Sequence, residues 1–292
     1  MIKNTLVIGG SGFIGSYVCQ ELNLRGYDVV IADIEKNQNL TKFQFIQCDI
    51  TSKRDIKNLF KNQFEFVFHL AGFASLNDAV DDPVKTIELN ILSTTMILEQ
   101  CVLTKIKHFV YASSAYASSL KGSFYGISKL ASEKIIEEFN SKYNLNYTIL
   151  RYGSVYSEIS FYNNYLFNLV EKAIQDKKIV HNSDGEEKRE YIHCSDVSKL
   201  TVDIIENKDF KNQCFILTGI EQFKRKDIFE MIKEISGEQI DIQLQNESNS
   251  NNNYRLTPYS FSPSRAKKLI SNPQIDLGQG ILEIIKSVNE NK

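Results

Sequence analysis

Over the first half of the chain, short apolar runs alternate with longer stretches in which apolar residues return every three to four positions. The runs fall at residues 5–8, 28–32, 43–47, 64–70, 108–112 and 147–150. They are rich in Val, Ile and Phe and show little polar alternation, as strands buried on both faces do. Between them, residues 86–103 and 124–142 carry the helical period. Strand and helix in turn predict an α/β fold, a doubly wound parallel sheet with helices on both faces. Beyond residue 151 the pattern loosens. Helices are expected at 165–176, 195–206, 226–235 and 280–288, with short strands at 178–181, 214–217 and 240–243. This predicts a core over residues 1–155 and a smaller C-terminal substrate-binding lobe over 156–292, interleaved in one compact unit. The stretch 246–253 (NESNSNNN) is polar and low in complexity and reads as a mobile loop.

Composition narrows the function classes. A 292-residue chain with 42% hydrophobic residues can bury a sizeable core. Its net charge of -2 and lack of a basic stripe argue against nucleic acid as the main partner. The five cysteines form an odd set without a CxxC, so they read as buried thiols in a reducing compartment rather than a disulfide frame or metal site. No apolar run approaches the ~18 residues of a membrane span. The N-terminal residues read as strand rather than leader, and the expected compartment is the cytoplasm.

The first strand runs into Gly9-Gly10-Ser11-Gly12-Phe13-Ile14-Gly15, after which a helix begins. Such a turn needs backbone freedom, close approach to a pyrophosphate, and a helix N-terminus aimed at it. Asp33 ends the second strand near the ~20-residue offset of a ribose-binding carboxylate. A carboxylate there accepts hydrogen bonds from the ribose hydroxyls and repels a 2′-phosphate. Glu35 adds negative charge, so NAD is the expected cofactor. Downstream, Tyr125 and Lys129 stand four apart and share one face of a helix. A nearby ammonium favours the phenolate, which predicts a lowered Tyr125 pKa and a role in proton transfer from an alcohol.

The ordered motifs resemble the extended short-chain dehydrogenase/reductase family, in its nucleotide-sugar epimerase/dehydratase branch, over nearly the whole chain. Besides GGSGFIG and YGISK, they include Asp49-Ile50, His69-Leu70-Ala71-Gly72, Asn90, Ala112-Ser113-Ser114, LRYGSVY from Leu150 to Tyr156, and Arg189-Glu190-Tyr191-Ile192-His193 with Asp196. The resemblance implies a Rossmann-type core. It assigns Ser114, Tyr125 and Lys129 to catalysis, with Ser113 the second choice for the serine. It implies that Gly9, Gly12, Phe13, Ile14, Gly15, Asp33, Asp49, Ile50, Leu70, Ala71, Gly72, Asn90, Tyr125, Lys129 and Tyr152 contact NAD. Ser114, Tyr125, Ser154, Arg189 and Arg255 would contact a nucleotide-diphosphate sugar, with Arg189 on the diphosphate. His69 and His193 look structural. The helices at 86–103 and 124–142 would form a homodimer interface.

The implied activity is oxidation and reduction at C4 of the sugar, foremost a 4-epimerase acting through a 4-keto intermediate. Alternatives are a 4-dehydrogenase or 4-keto reductase with net NAD(H) turnover, and a non-catalytic NAD-binding sensor. Three departures bear on this. The segment between Ser114 and Tyr125 is short. Ser154 stands where many epimerases carry asparagine. No Asp-Glu pair follows Ser114, which argues against a 4,6-dehydratase.

Overall fold

The computed structural model describes residues 3–119, 122–162, 164–245, 266–269 and 275–290. Arg255 and the Asn-rich stretch lie outside them. In chain order the elements begin with β1 (Lys3–Ile8), α1 (Phe13–Leu24), β2 (Tyr27–Asp33), β3 (Gln44–Gln47), α2 (Lys53–Leu59) and β4 (Phe66–His69). There follow α3 (Leu76–Asp81), α4 (Pro83–Ile87), a π-helical turn at Glu88–Leu92, α5 (Ser93–Leu103), β5 (His108–Ser114), α6 (Ser123–Tyr143) and β6 (Tyr147–Tyr152). The second half contains β7 (Ser154–Tyr156), α7 (Tyr165–Asp176), β8 (Lys178–His181), β9 (Lys188–Arg189), β10 (Tyr191–His193), α8 (Cys194–Glu206) and β11 (Gln213–Leu217). It closes with β12 (Phe223–Lys224), α9 (Arg225–Ser236), β13 (Asp241–Leu244), β14 (Lys267–Leu269) and α10 (Leu277–Glu290).

Eight strands form one parallel sheet in the order β14-β11-β6-β5-β4-β1-β2-β3. The chain winds outward from β1 to β3, returns to β4, and winds outward the other way. Strands β1 and β4 therefore flank the switch point, where loops leaving adjacent strands diverge and open a crevice at their C-terminal ends. Burial follows the expected two-sided pattern. One apolar core packs Ile56 and Leu59 of α2, Ile97 and Leu98 of α5, and Ile136 of α6 under the sheet. The other packs Val18 and Leu22 of α1 with Val197 and Leu200 of α8 on the opposite face. A third core joins α7, α9 and α10 through Phe167, Phe229 and Ile281, beside the two-stranded β8/β13 sheet.

Two details were not legible in the sequence. The strand at 214–217 belongs to the main sheet. As β11 it pairs with β6 and extends the main sheet, and β14, for which no pattern was read, pairs outside it. The helix expected at 86–103 runs unbroken from Pro83 to Leu103 but contains a π turn. Its successive parts are α4, the π turn and α5. A π turn takes an extra residue into its hydrogen-bonded loop, a local change that apolar periodicity does not reveal.

Candidate active site

The loop leaving β1 is built for a close neighbour. Gly9 has φ +84°, and a Cβ there would meet the Ala71 backbone nitrogen at 2.4 Å, so the β1 and β4 loops touch through bare backbone. Gly12 caps α1 without a side-chain hydrogen bond, which leaves the amides of the first turn directed into the crevice as an anion receptor. Asp33 stands at the end of β2. Its carboxylate accepts from the Ser11 amide at 3.0 Å and the Ile34 amide at 2.8 Å, fixing the glycine loop against the second strand. Burial raises its pKa while these amides oppose the rise. The turn-capping role and the position facing the crevice coexist. This bare-backbone cradle, uncapped helix start and neighbouring carboxylate suit an NAD pyrophosphate and ribose.

The crevice continues into a cleft of about 880 Å³. Gly9, Gly12, Phe13, Ile14, Gly15, Asp33, Asp49, Ile50, Leu70, Ala71, Gly72 and Tyr152 line it at one end. Ser114, Tyr125, Lys129, Ser154 and Arg189 line it further along. Asn90 does not. Its side chain is buried behind the wall, where Oδ1 accepts from the Phe73 amide at 2.8 Å and Nδ2 donates to the Phe73 carbonyl at 3.1 Å and Ser128 Oγ at 2.9 Å. Asn90 thus ties the loop after β4 to α6, one residue before Lys129.

At the centre, burial and hydrogen bonding oppose each other. The Tyr125 phenol is buried and hydrogen-bonded with Ser114. Burial pushes its pKa up to about 12, against the pull of that bond. Lys129 is pushed down to about 8 by burial, with Glu133 acting the other way. Its Nζ donates to the Ala112 carbonyl at 2.9 Å and lies 5.0 Å from the Tyr111 ring centroid and 6.0 Å from that of Tyr125. The expected lowering of Tyr125 by Lys129 is therefore not met by the protein groups alone. At that separation the ammonium does not offset the loss of water around the phenol.

Ser113 and Ser114 part company at the end of β5. Ser113 donates to Glu133 Oε1 at 2.5 Å, away from Tyr125. Glu133 also accepts from Arg151 Nε at 2.8 Å and Nη2 at 2.6 Å. Arg151 reaches on to Ser118 through Nη1. This buried network fixes the 3₁₀ turn Ala115–Ser118 that follows Ser114. The turn rests directly on α6, since a Cβ on Gly126 would meet the Tyr116 carbonyl oxygen at 2.7 Å. Tyr116 then sets its ring edge-on to Tyr125, with centroids 6.2 Å apart. Glu133, Ser118 and Tyr116 were not singled out in the sequence. The i, i+4 and i, i+8 positions of Lys129 and Glu133 relative to Tyr125 were the available signal for the glutamate.

His69 and His193 each bond a neighbouring side chain within the fold. His69 bonds Thr94 Oγ1 at 3.1 Å, and burial holds its pKa down to about 3. His193 bonds Glu158 Oε2 at 3.0 Å, and Glu158 also accepts from the Tyr17 hydroxyl at 3.1 Å, which ties the segment after β7 to α1. The glutamates around Arg189 have other partners. Glu186 pairs with Lys224 and Lys226, Glu187 with His181, and Glu190 with Lys268. Arg189 is 3% exposed, and its Nη1 donates to the Lys188 carbonyl at 2.8 Å.

With this geometry in place, comparison with known proteins is informative. The model of the NAD dependent epimerase/dehydratase family matches residues 5–216, more than half the chain. The chain belongs to this family. A Methanocaldococcus jannaschii relative is 28% identical over 98% of both chains. UDP-glucose 4-epimerase of Schizosaccharomyces pombe is 29% identical over 72% of each. The crystal structure of UDP-glucose 4-epimerase from Thermotoga maritima, bearing UDP-glucose, superposes with a TM-score of 0.86, at 26% identity and 99% coverage of both chains. The family is one of NAD-dependent enzymes, and in this chain the glycine loop at the β1/β4 switch point and Ser114 and Tyr125 line one cleft.

Proposed function

We propose that this enzyme interconverts the C4 epimers of a nucleotide-diphosphate sugar, using NAD. The observation that carries the reading is the placement of the hydrogen-bonded Ser114–Tyr125 pair and Lys129 in one cleft with the glycine-loop cradle and Arg189. Gly9, Gly12, Asp33 and the loop 70–72 would hold the dinucleotide, with Lys129 near its nicotinamide ribose. Arg189 would grip the substrate diphosphate, which suits a planar guanidinium fork. Ser154 would bond the sugar or phosphate from the opposite wall. Residues 156–292 would supply most of the nucleotide-sugar lobe.

NAD supplies a hydride acceptor whose cationic ring favours a neighbouring phenolate. Tyr125 takes the proton of the C4 hydroxyl while Ser114 holds that oxygen, and the C4 hydride leaves in the same step. Ser114 and Tyr125 then hold the 4-keto sugar. When the sugar presents its other face, the hydride returns to C4 and Tyr125 gives its proton back to the C4 oxygen. No oxidant is consumed over the cycle. The buried phenol suits a site that excludes water from the ketone.

Incubation with UDP-glucose and related nucleotide sugars, followed by NMR, should show the C4 epimer without added reductant, and Tyr125→Phe should slow it by about 10²-fold or more. Accumulation of a keto sugar with stoichiometric NADH would instead support the dehydrogenase reading, which the short segment before Tyr125 keeps in view. We further propose a homodimer through α4–α5 and α6, where Ile87, Leu92 and Ile127 stand exposed on adjacent helices.

A further inference from the structure

The cleft contains a second arginine, which lies one residue before the helix expected at 226–235 and was given no role in the sequence. Arg225 opens α9 directly after β12, which pairs antiparallel with β9 so that Phe223 faces Arg189. Two residues on, the Arg225 amide donates to the Glu187 carbonyl at 3.0 Å. Alternation along this ladder puts Arg225 on the same face as Arg189, one step further along. Its guanidinium lies 4.2 Å from the Tyr165 ring centroid, and Tyr116, Tyr165, Arg189 and Arg225 all line the cleft.

A cation in the first turn of a helix opposes the macrodipole. Its neighbour Lys226 answers this with Glu186, but among the described residues no carboxylate pairs with Arg225. Glu186, Glu187 and Glu190 are engaged by Lys224, Lys226, His181 and Lys268. Glu187, held by His181, acts on Arg225 only from beyond ion-pair distance, so this half-buried guanidinium, stacked on a tyrosine and without a carboxylate in contact among the described residues, can take up a bound anion. Its position says which anion. Arg225 lines the same cleft as Tyr116 and Tyr125, and the Tyr116 ring packs edge-on to that of Tyr125. That places Arg225 toward the sugar end of the cleft.

We propose that Arg225 receives a carboxylate carried by the sugar, so that the substrate class is a nucleotide-linked acidic sugar. This inference rests on the nucleotide-sugar reading above. Tyr165 fixes the plane of the guanidinium, whose fork matches a carboxylate with two parallel hydrogen bonds. A neutral sugar leaves the charge unanswered, which is discrimination by an unsatisfied group in the pocket.

The test is calorimetric titration of the NAD-saturated enzyme with UDP, UDP-glucose and UDP-glucuronic acid, repeated with Arg225→Met and Arg225→Lys. The wild type should bind UDP-glucuronic acid about tenfold or more tightly than UDP-glucose, as a charge-assisted pair allows. Arg225→Met should erase that preference while changing the affinities for UDP and UDP-glucose by less than about threefold. Arg225→Lys should keep part of it. No preference in the wild type would overturn the inference. So would an equal loss for all three compounds in Arg225→Met, which would make Arg225 a diphosphate ligand. Failure of UDP, dTDP, GDP and CDP alike to bind would sink the nucleotide-sugar reading, and the carboxylate inference with it.

Discussion

At Tyr125 and Lys129 the same burial acts in opposite senses, because it disfavours a phenolate and an ammonium alike. For Lys129 this has a measurable consequence. Its pKa in the folded protein is about 8, below the unfolded 10.5. Below pH 8 the lysine is charged in both states and the burial cost is fully present. Between pH 8 and 10.5 the folded state gives up its proton first, and the cost fades as pH rises. Lys129→Met should therefore stabilise the protein at pH 7 by up to about 3 kcal/mol, with the gain shrinking toward pH 10.5. Urea unfolding across this range checks it. A variant equally or less stable at pH 7 would mean that the Ala112 hydrogen bond outweighs desolvation. At this scale the sequence was legible where spacing encodes geometry, as in Gly9–x–x–Gly12 and Tyr125–x–x–x–Lys129. It was not legible where burial decides, since the Tyr125 pKa is set by loss of solvent against the Ser114 hydrogen bond, a balance that only the folded chain brings about.

Among the elements, β5, β6 and α6 are held together behind the cleft by the Arg151–Glu133 pair. Both side chains are buried, and Glu133 also receives Ser113. Removing one partner strands a charge in the interior. Arg151→Met should cost about 3–5 kcal/mol, and Arg151→Met with Glu133→Gln should recover part of it. Chemical denaturation of the two variants separates this from a mere loss of packing. Activity should fall with the single change too, because Arg151 also holds the Ala115–Ser118 turn through Ser118. The sequence marks α6 clearly through its long period, and α7 appears with the expected limits, Tyr165–Asp176. It hides the π turn within the helix at 86–103. The π turn at Glu88–Leu92 lets the Asn90 carbonyl accept from both Thr94 Oγ1 and Ser132 Oγ, a tertiary arrangement that leaves no periodic trace. Asn90 itself was legible as a motif residue, but its structural position is behind the cleft wall.

Across the whole molecule, the first half of the chain declared its topology because continuous apolar strands and periodic helices alternate strictly. The second half did not, because α8, β11 and β14 return to the sheet between elements of the smaller α7–α9–α10 core. A two-residue strand such as β9 or β12 also carries too few positions to show a period. The exposed apolar positions Ile87, Leu92 and Ile127 on α4–α5 and α6 are the basis of the proposed dimer. Light scattering should give a mass near twice 33.5 kDa, and Ile127→Lys with Leu92→Lys should return the monomer. A wild-type monomer would contradict the dimer. The central claim is that a hydride leaves C4 and comes back to the same carbon. The most direct measurement uses UDP-glucose, or UDP-glucuronic acid if Arg225 selects it, carrying deuterium at C4. The epimeric product should retain the deuterium at C4, with no net change in NADH absorbance. Loss of the label to solvent, or its stoichiometric capture as deuterated NADH, would contradict it.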